Sequence, residues 1–199
     1  MLTQLATVKS RLALTVPDYD DILTSAIKAV SDCFDRESNR RFTPNHRHHP
    51  RVRPSDTEVP VSCYPIESVT KFELKSNETD GWSEQTGIDY LIRRQCVISL
   101  SAPINSQLST INPPVARVAY TGGYVLPGES RVGVPPATPD LPDDLEQAAV
   151  EQVAWWFRNR DSTCLIRTWP HGGTYEAFLQ SDLLLEVRAV LKKHERLLL

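Results

Sequence analysis

"ARVAYTGGYVLPG", residues 116–128, decides how the middle of this chain is read. It alternates as a strand does, reaches Gly122 and Gly123, then Tyr124, and runs into proline-rich sequence. A loop that cradles phosphate leads its glycines directly into a helix N-terminus, where backbone N–H groups face the anion. Here no helix follows for many residues, and there is no Walker lysine and no G-x-G-x-x-G. Gly122 and Gly123 are therefore expected to turn the chain at a strand end, with the Tyr124 ring packed across the turn. No cofactor is implied.

Working upstream, the period of two continues back to Phe42. Val59, Val61 and Cys63 alternate with polar neighbours, as do Phe72 and Leu74, and Asp80-Gly81 is a hairpin signal. Ile88 to Leu100 supplies further strand material. No crossover helix interrupts these four or five strands, so a small, mainly antiparallel sheet is expected over 59–124. Before it, two helices are expected within 3–41. Leu5, Val8 and Leu12 mark the first, which Pro17 ends. Ile22, Ala26, Ala29, Val30, Cys33 and Phe34 mark one face of the second, which fades near Arg41.

Downstream, a proline-stiffened loop occupies 125–140 and a strong helix 141–160. Asp140 is the expected cap, Pro142 sits in the first turn, and Leu145, Ala148, Ala149, Val153, Trp156 and Phe157 form the apolar face. "WPHGG" (169–173) breaks the chain, and a last helix is expected from about Tyr175. The fold class is thus α+β: an N-terminal helical pair, a small sheet, then two C-terminal helices.

The formal charge of −3 is too mild to draw the chain to nucleic acid or an anionic membrane by its overall field. Cys33, Cys63, Cys96 and Cys164 stand singly with no C-x-x-C spacing, which suits free thiols in a reducing compartment. No apolar run approaches the ~20 residues that span a bilayer, and no signal-peptide pattern opens the chain. A soluble cytoplasmic product is expected.

Few residues suggest chemistry. His46, His48 and His49 in "NHRHHPRVRP" (45–54) could ligate zinc, and with Asp56 or Glu58 would make a metal-dependent hydrolase. Against this, no Cys or acidic motif stands at ligand spacing. A polar, proline-bounded edge that discourages strand pairing explains the segment better. With Arg40 and Arg41 just before it, its Arg47, Arg51 and Arg53 could brush phosphates, but only Phe42 offers a stacking ring nearby, and a solvated basic edge is the expected reading. "PHGGT" (170–174) is similar to a lipase oxyanion loop but has no G-x-S-x-G nucleophile elbow to serve. Trp155 and Trp156 diverge by about 100° on a helix, so Trp156 joins the core face and Trp155 flanks it, towards core or a subunit interface. In the last helix Arg188, Lys192 and Arg196 form a basic stripe beside Leu184, Val187 and Leu191. Its reading is a solvated face or a contact with an acidic partner or DNA.

The order of these pieces resembles the head–tail connector (adaptor) proteins of tailed double-stranded DNA bacteriophages. The resemblance rests on Tyr64-Pro65-Ile66-Glu67-Ser68-Val69, Asp89-Tyr90-Leu91-Ile92, Val118-Ala119-Tyr120-Thr121-Gly122-Gly123-Tyr124, Leu141-Pro142-Asp143-Asp144-Leu145-Glu146-Gln147-Ala148 and Asn159-Arg160, in that order. It covers Leu2 to about Asp161. The loops at 43–58 and 125–140 and the tail after Asp161 are longer than the family's compact form.

The resemblance implies a structural protein, not an enzyme, with a connector core over 1–161 and a helical docking tail over 162–199. Copies would form a homo-oligomeric ring joining the portal of the phage head to a tail-side stopper or head-closure protein. Double-stranded DNA would pass through the ring without sequence reading. Portal or subunit contacts are expected from Leu184, Val187, Arg188, Leu191, Lys192, Arg196 and Trp155. The protein would reside in host cytoplasm during assembly and then in the virion neck, with no membrane contact.

Overall fold

The computed structural model describes residues 1–43, 45–48, 51–53, 55–76, 79, 81–104, 115–129, 138–160 and 183–196. They form two units: a helical one from Met1–Ser38 with Leu141–Glu195, and a β unit from Asn39–Asp140 with Arg196–Leu199. The class is α+β, as the sequence pattern requires, with helices at both ends of the chain and antiparallel strands between. Among the described residues no helix is long and apolar enough to cross a membrane.

In the helical unit, α1 (Leu5–Leu12) ends five residues before Pro17. Ala13 adopts a left-handed conformation (φ 55°), and the Leu14 N–H closes on the Lys9 carbonyl. The second helix, α2 (Asp20–Glu37), opens on Asp20 and Asp21, favourable to its dipole. It stops short of Arg41 because Ser38 takes both its N–H and its hydroxyl back to the Phe34 carbonyl. Its buried stripe is Leu23, Ile27, Val30, Cys33 and Phe34. The expected face was rotated: Ile22 is 51% exposed, and Ala29 is exposed too.

The long helix α3 (Asp143–Arg158) is capped at Pro142, not Asp140. The Pro142 carbonyl accepts the Leu145 and Glu146 N–H groups, while Asp140 pairs with Val125 in an isolated bridge. Leu145, Ala149, Val153 and Phe157 are buried as expected, and Val150, Gln152 and Ala154 join them. Arg11 reaches Glu151 with two hydrogen bonds of 2.9 and 3.1 Å, tying α1 to α3. The last helix, α4 (Leu185–Lys193), packs on α3; Tyr175, its expected start, lies outside the described residues.

The β unit holds two antiparallel sheets where one was expected. The larger comprises β1 (Asn45–His48), β2 (Arg51–Val52), β4 (Ile66–Lys75), β5 (Ser83–Gln85) and β8 (Val115–Gly122). Its order is β1-β8-β4-β5, with β2 also on β8. The smaller is β3 (Glu58–Pro60), β7 (Val97–Leu100) and β6 (Tyr90–Arg93), in the order β3-β7-β6. Val59, Ile98 and Leu100 of the smaller sheet share one buried cluster with Phe72, Val118 and Tyr120 of the larger. Burial of such side chains contributes roughly 1.5–3 kcal/mol each. The β4–β5 hairpin forms where Asp80-Gly81 signalled it, with Gly81 at φ +73°; Asp80 itself lies outside the described residues.

Candidate functional site

The opening stretch ends in a junction where separated motifs meet. Tyr120 is fully buried, and its hydroxyl accepts the Cys63 N–H at 3.1 Å. Burial pushes this phenol up to about 12, with the Cys63 and Ser62 hydrogen bonds opposing. The Cys63 thiol lies 3.3 Å from the Thr43 carbonyl and 3.2 Å from that of Gly122. At Gly122 a Cβ would stand 2.7 Å from the Pro65 oxygen and 3.0 Å from that of Cys63. Only glycine lets these backbones approach so closely. Gly123, at φ +112°, donates its N–H to the same Pro65 oxygen at 3.0 Å.

Beside this junction lies Arg40, one of the arginines expected at a solvated edge or against phosphate, and the structure buries it instead. Arg40 is 4% exposed, and its guanidinium sits 3.5 Å from the Tyr64 ring centroid, 4.7 Å from Phe42 and 5.4 Å from Tyr124. It also donates to the Tyr64 carbonyl. Tyr124 stacks on Phe42 at 6.4 Å and hands its N–H to the Phe42 carbonyl. A desolvated cation against aromatic faces is worth about 2 kcal/mol. Desolvation raises the Tyr64 phenol while the Arg40 cation opposes it. These bonds hold strand ends to one another, which is scaffold chemistry.

A second polar cluster spans β4 and β8. Glu73 is buried, accepts from Arg117 directly opposite it, and lies 2.8 Å from Lys71. The Arg117 hydrogen bond, against the cost of burial, holds this carboxyl below the ordinary carboxylate range. Arg117 also lies 4.0 Å from the Trp82 ring.

The residues expected to dock are distributed differently. Val187 and Leu191 are buried in the helical unit, at 2% and 3% exposure. Leu184 precedes α4, and its N–H donates at 3.0 Å to Gln152 Oε1, a side chain wholly buried on α3. His194 meets both Asp144 carboxylate oxygens at 3.1 and 3.2 Å. Arg188 and Lys192 are exposed, as is Leu185 at 83%. Arg196 lies beyond the helix, and its guanidinium donates to the Pro60 carbonyl at 3.0 Å. Trp155 is half-buried on α3. His46 and His48 lie on β1, and His49 lies outside the described residues. Among the described residues no three His, Cys, Asp or Glu side chains could together hold a metal ion.

An exposed apolar strand was also missed as a surface. Leu91 on β6 is 66% exposed, with Tyr90 and Ile92 at 37% each. Sequence alternation hid it, because each of these residues suits a strand core equally well.

The fold is similar to solved particle structures. It matches a chain from the neck of an empty gene transfer agent particle computed with C6 symmetry at TM-score 0.57 and 13% identity, covering 98% of this chain and 90% of that one. It matches a chain from the neck of the native particle computed with C12 symmetry at TM-score 0.58 and 15% identity, covering 98% and 89%. A chain of the native virion matches at TM-score 0.56 and 14% identity, covering 98% and 90%. No curated protein matches the chain. The head completion protein family, in contrast, matches residues 1–197, nearly the whole sequence. The expected connector kinship and its structural, non-enzymatic role follow, and the chain belongs to the head completion protein family.

Proposed function

We propose that this chain is a subunit of a homo-oligomeric ring in the virion neck, seated on the portal of the head and extending its DNA channel. The ring's far face would receive a tail-side stopper or head-closure protein. The observation that carries this reading is the family match over residues 1–197. The fold shared with chains from gene transfer agent necks of C6 and C12 symmetry supports it. Assembly would take place in host cytoplasm, and DNA would pass through the channel with no base read.

Within this reading, residues 1–161 form the connector core and 162–199 the docking tail. The docking surface of α4 is its exposed side, with Leu185, Arg188 and Lys192. For Val187 and Leu191 to contribute as well, α4 would have to leave α3, exposing what they now bury. Native mass spectrometry of the protein, alone and mixed with the portal protein encoded with it, tests the proposal. A single multi-copy ring added to the portal is expected; a monomer that ignores the portal would overturn it.

A further inference from the structure

Eight large hydrophobic side chains are conspicuously exposed among the described residues, and five of them fall in two clusters, one beside exposed aspartates and one beside exposed arginines. Val16 (44%) and Ile22 (51%) flank the turn into α2, with Asp18, Asp20 and Asp21 around them. Lys9 holds Asp20 at 2.7 Å, while Asp18 and Asp21 are exposed; Lys28 follows two turns along the helix. Tyr90, Leu91 and Ile92 lie on β6 and lead into Arg93 and Arg94, both exposed, with Asp89 at the strand's other end.

The register of the small sheet sorts β6 by face. Tyr90 packs on Phe72, with ring centroids 5.7 Å apart, so it and Ile92 line the inner side. Leu91 stands opposite Ser99, and Ser99 opposite Glu58, on the outer side; Arg93 stands opposite Val97 on that same side. Arg93 reaches Glu58 at only 3.8 Å with both side chains more than half exposed, a weak pairing that leaves the guanidinium available. The outer side thus presents Leu91 beside Arg93 and Glu58, and the exposed Arg94 follows in the turn.

Resting on the ring reading above, we propose that this Leu91–Arg93–Arg94 face packs on the Asp18–Asp21–Ile22 face of the neighbouring copy. The exposed carboxylates of Asp18 and Asp21 repel a second copy of their own patch, so a two-fold dimer through it is disfavoured. The two faces complement each other, which is what a head-to-tail interface closing into a ring requires. The arginines at the end of β6 also discourage edge-to-edge strand pairing, which favours a helix surface as the occupant.

A reciprocal charge exchange tests this. One variant carries Arg93→Glu with Arg94→Glu, so both of its patches are acidic. The other carries Asp18→Lys with Asp21→Lys, so both are basic. Native mass spectrometry, with and without the portal protein, should find each variant alone as a monomer. Their equimolar mixture should restore multi-copy assemblies holding the two in equal number. Assemblies formed by either variant alone as readily as by the unaltered chain would overturn the interface and leave the ring intact. A mixture that stays monomeric would do the same. Monomer from the unaltered chain in both conditions would remove the ring reading itself. As a second measurement, a chain with Ile22→Cys and Leu91→Cys should give a ladder of disulfide-linked multimers on oxidation. Its absence counts against the interface even if the charge variants fail to fold.

Discussion

Gly122→Ala should be among the most damaging single-methyl additions available in the β unit. The added Cβ would meet the Pro65 oxygen at 2.7 Å, the Cys63 oxygen at 3.0 Å and the Ile66 Cα at 3.3 Å. All three are backbone atoms, so no side chain can swing aside. Relief requires β8 to move off the 63–66 segment, which weakens the Gly123 N–H bond to Pro65 and the Cys63 thiol contact with the Gly122 carbonyl. Overpacking of this kind costs roughly 1–3 kcal/mol, and loss of a hydrogen bond about 1 kcal/mol more. The sum is about 2–4 kcal/mol. Gly81→Ala is the control: its φ of +73° strains an alanine, but nothing lies within 4 Å of the new Cβ. That change should cost only about 1 kcal/mol. In urea, with a slope of roughly 2 kcal/mol per molar, the Gly122 variant's midpoint should fall by about 1–2 M and the control's by about 0.5 M. Equal midpoints for the two variants would refute the argument from close approach.

Tyr120→Phe leaves the buried Cys63 N–H without its acceptor and should cost about 1–2 kcal/mol, read by the same unfolding curves. Because the folded state holds this phenol neutral up to about 12, the unfolded chain releases its proton first. Stability should therefore fall as pH rises above about 10, by up to ~1.4 kcal/mol per pH unit, and the phenylalanine variant should lack that component. Glu73→Gln removes the carboxylate between Arg117 and Lys71 and should cost about 1–2 kcal/mol. Since the Glu73 pKa is lowered in the fold, its contribution is present above the ordinary carboxylate range and is lost as pH falls below it; acid unfolding of the glutamine variant should lack that step. Gln152→Leu strips the acceptor from the Leu184 N–H, and hydrogen exchange over 185–193 should quicken about tenfold for ~1.4 kcal/mol lost.

Much of the helical architecture was legible because periodicity and caps suffice for it. Leu145, Ala148, Ala149, Val153 and Phe157 of α3 are buried where spacing puts them, while Trp156, expected on the same face, is half-buried like Trp155. The face of α2 was misplaced because apolar residues fill more than one stripe, and only packing decides that Leu23 and Ile27 go inward while Ile22 stays out. The turn between β6 and β7 was invisible for another reason. Arg94 and Gln95 both adopt positive φ (49° and 58°), the conformation of a two-residue hairpin turn that glycine or asparagine would usually announce. Two short strands therefore read as one continuous stretch. At Gly122 the sequence showed a corner, while what demands glycine is a carbonyl 57 positions earlier in the chain. No local pattern carries that information. The apolar line of α4 was visible too, but whether Val187 and Leu191 faced a partner or this chain's own α3 was a question of tertiary packing.

Most of the motif residues pack inside the two units and most of the proposed assembly surface lies elsewhere; Leu91, which belongs both to the Asp89–Ile92 motif and to the proposed face, is the exception. Tyr64, Pro65 and Ile66 meet Tyr120, Gly122, Gly123 and Tyr124 in the β unit, around Arg40 and Cys63. They are bound to one another by backbone approach and buried hydrogen bonds, so substitution there acts on folding. The exposed Leu91, Arg93, Ile22, Leu185 and Lys192 contribute little to either unit's core and carry the proposed assembly. The consequence is a separation that experiment can see. Junction variants such as Gly122→Ala should lose stability and assembly together. Surface variants such as Arg93→Glu with Arg94→Glu should keep the melting temperature within about 2 °C, since changes away from the core stay within roughly ±0.5 kcal/mol, and lose assembly alone. If the surface variants melted as early as the junction variants, the division between scaffold and interface would be wrong, and the exposed strand would belong to the core.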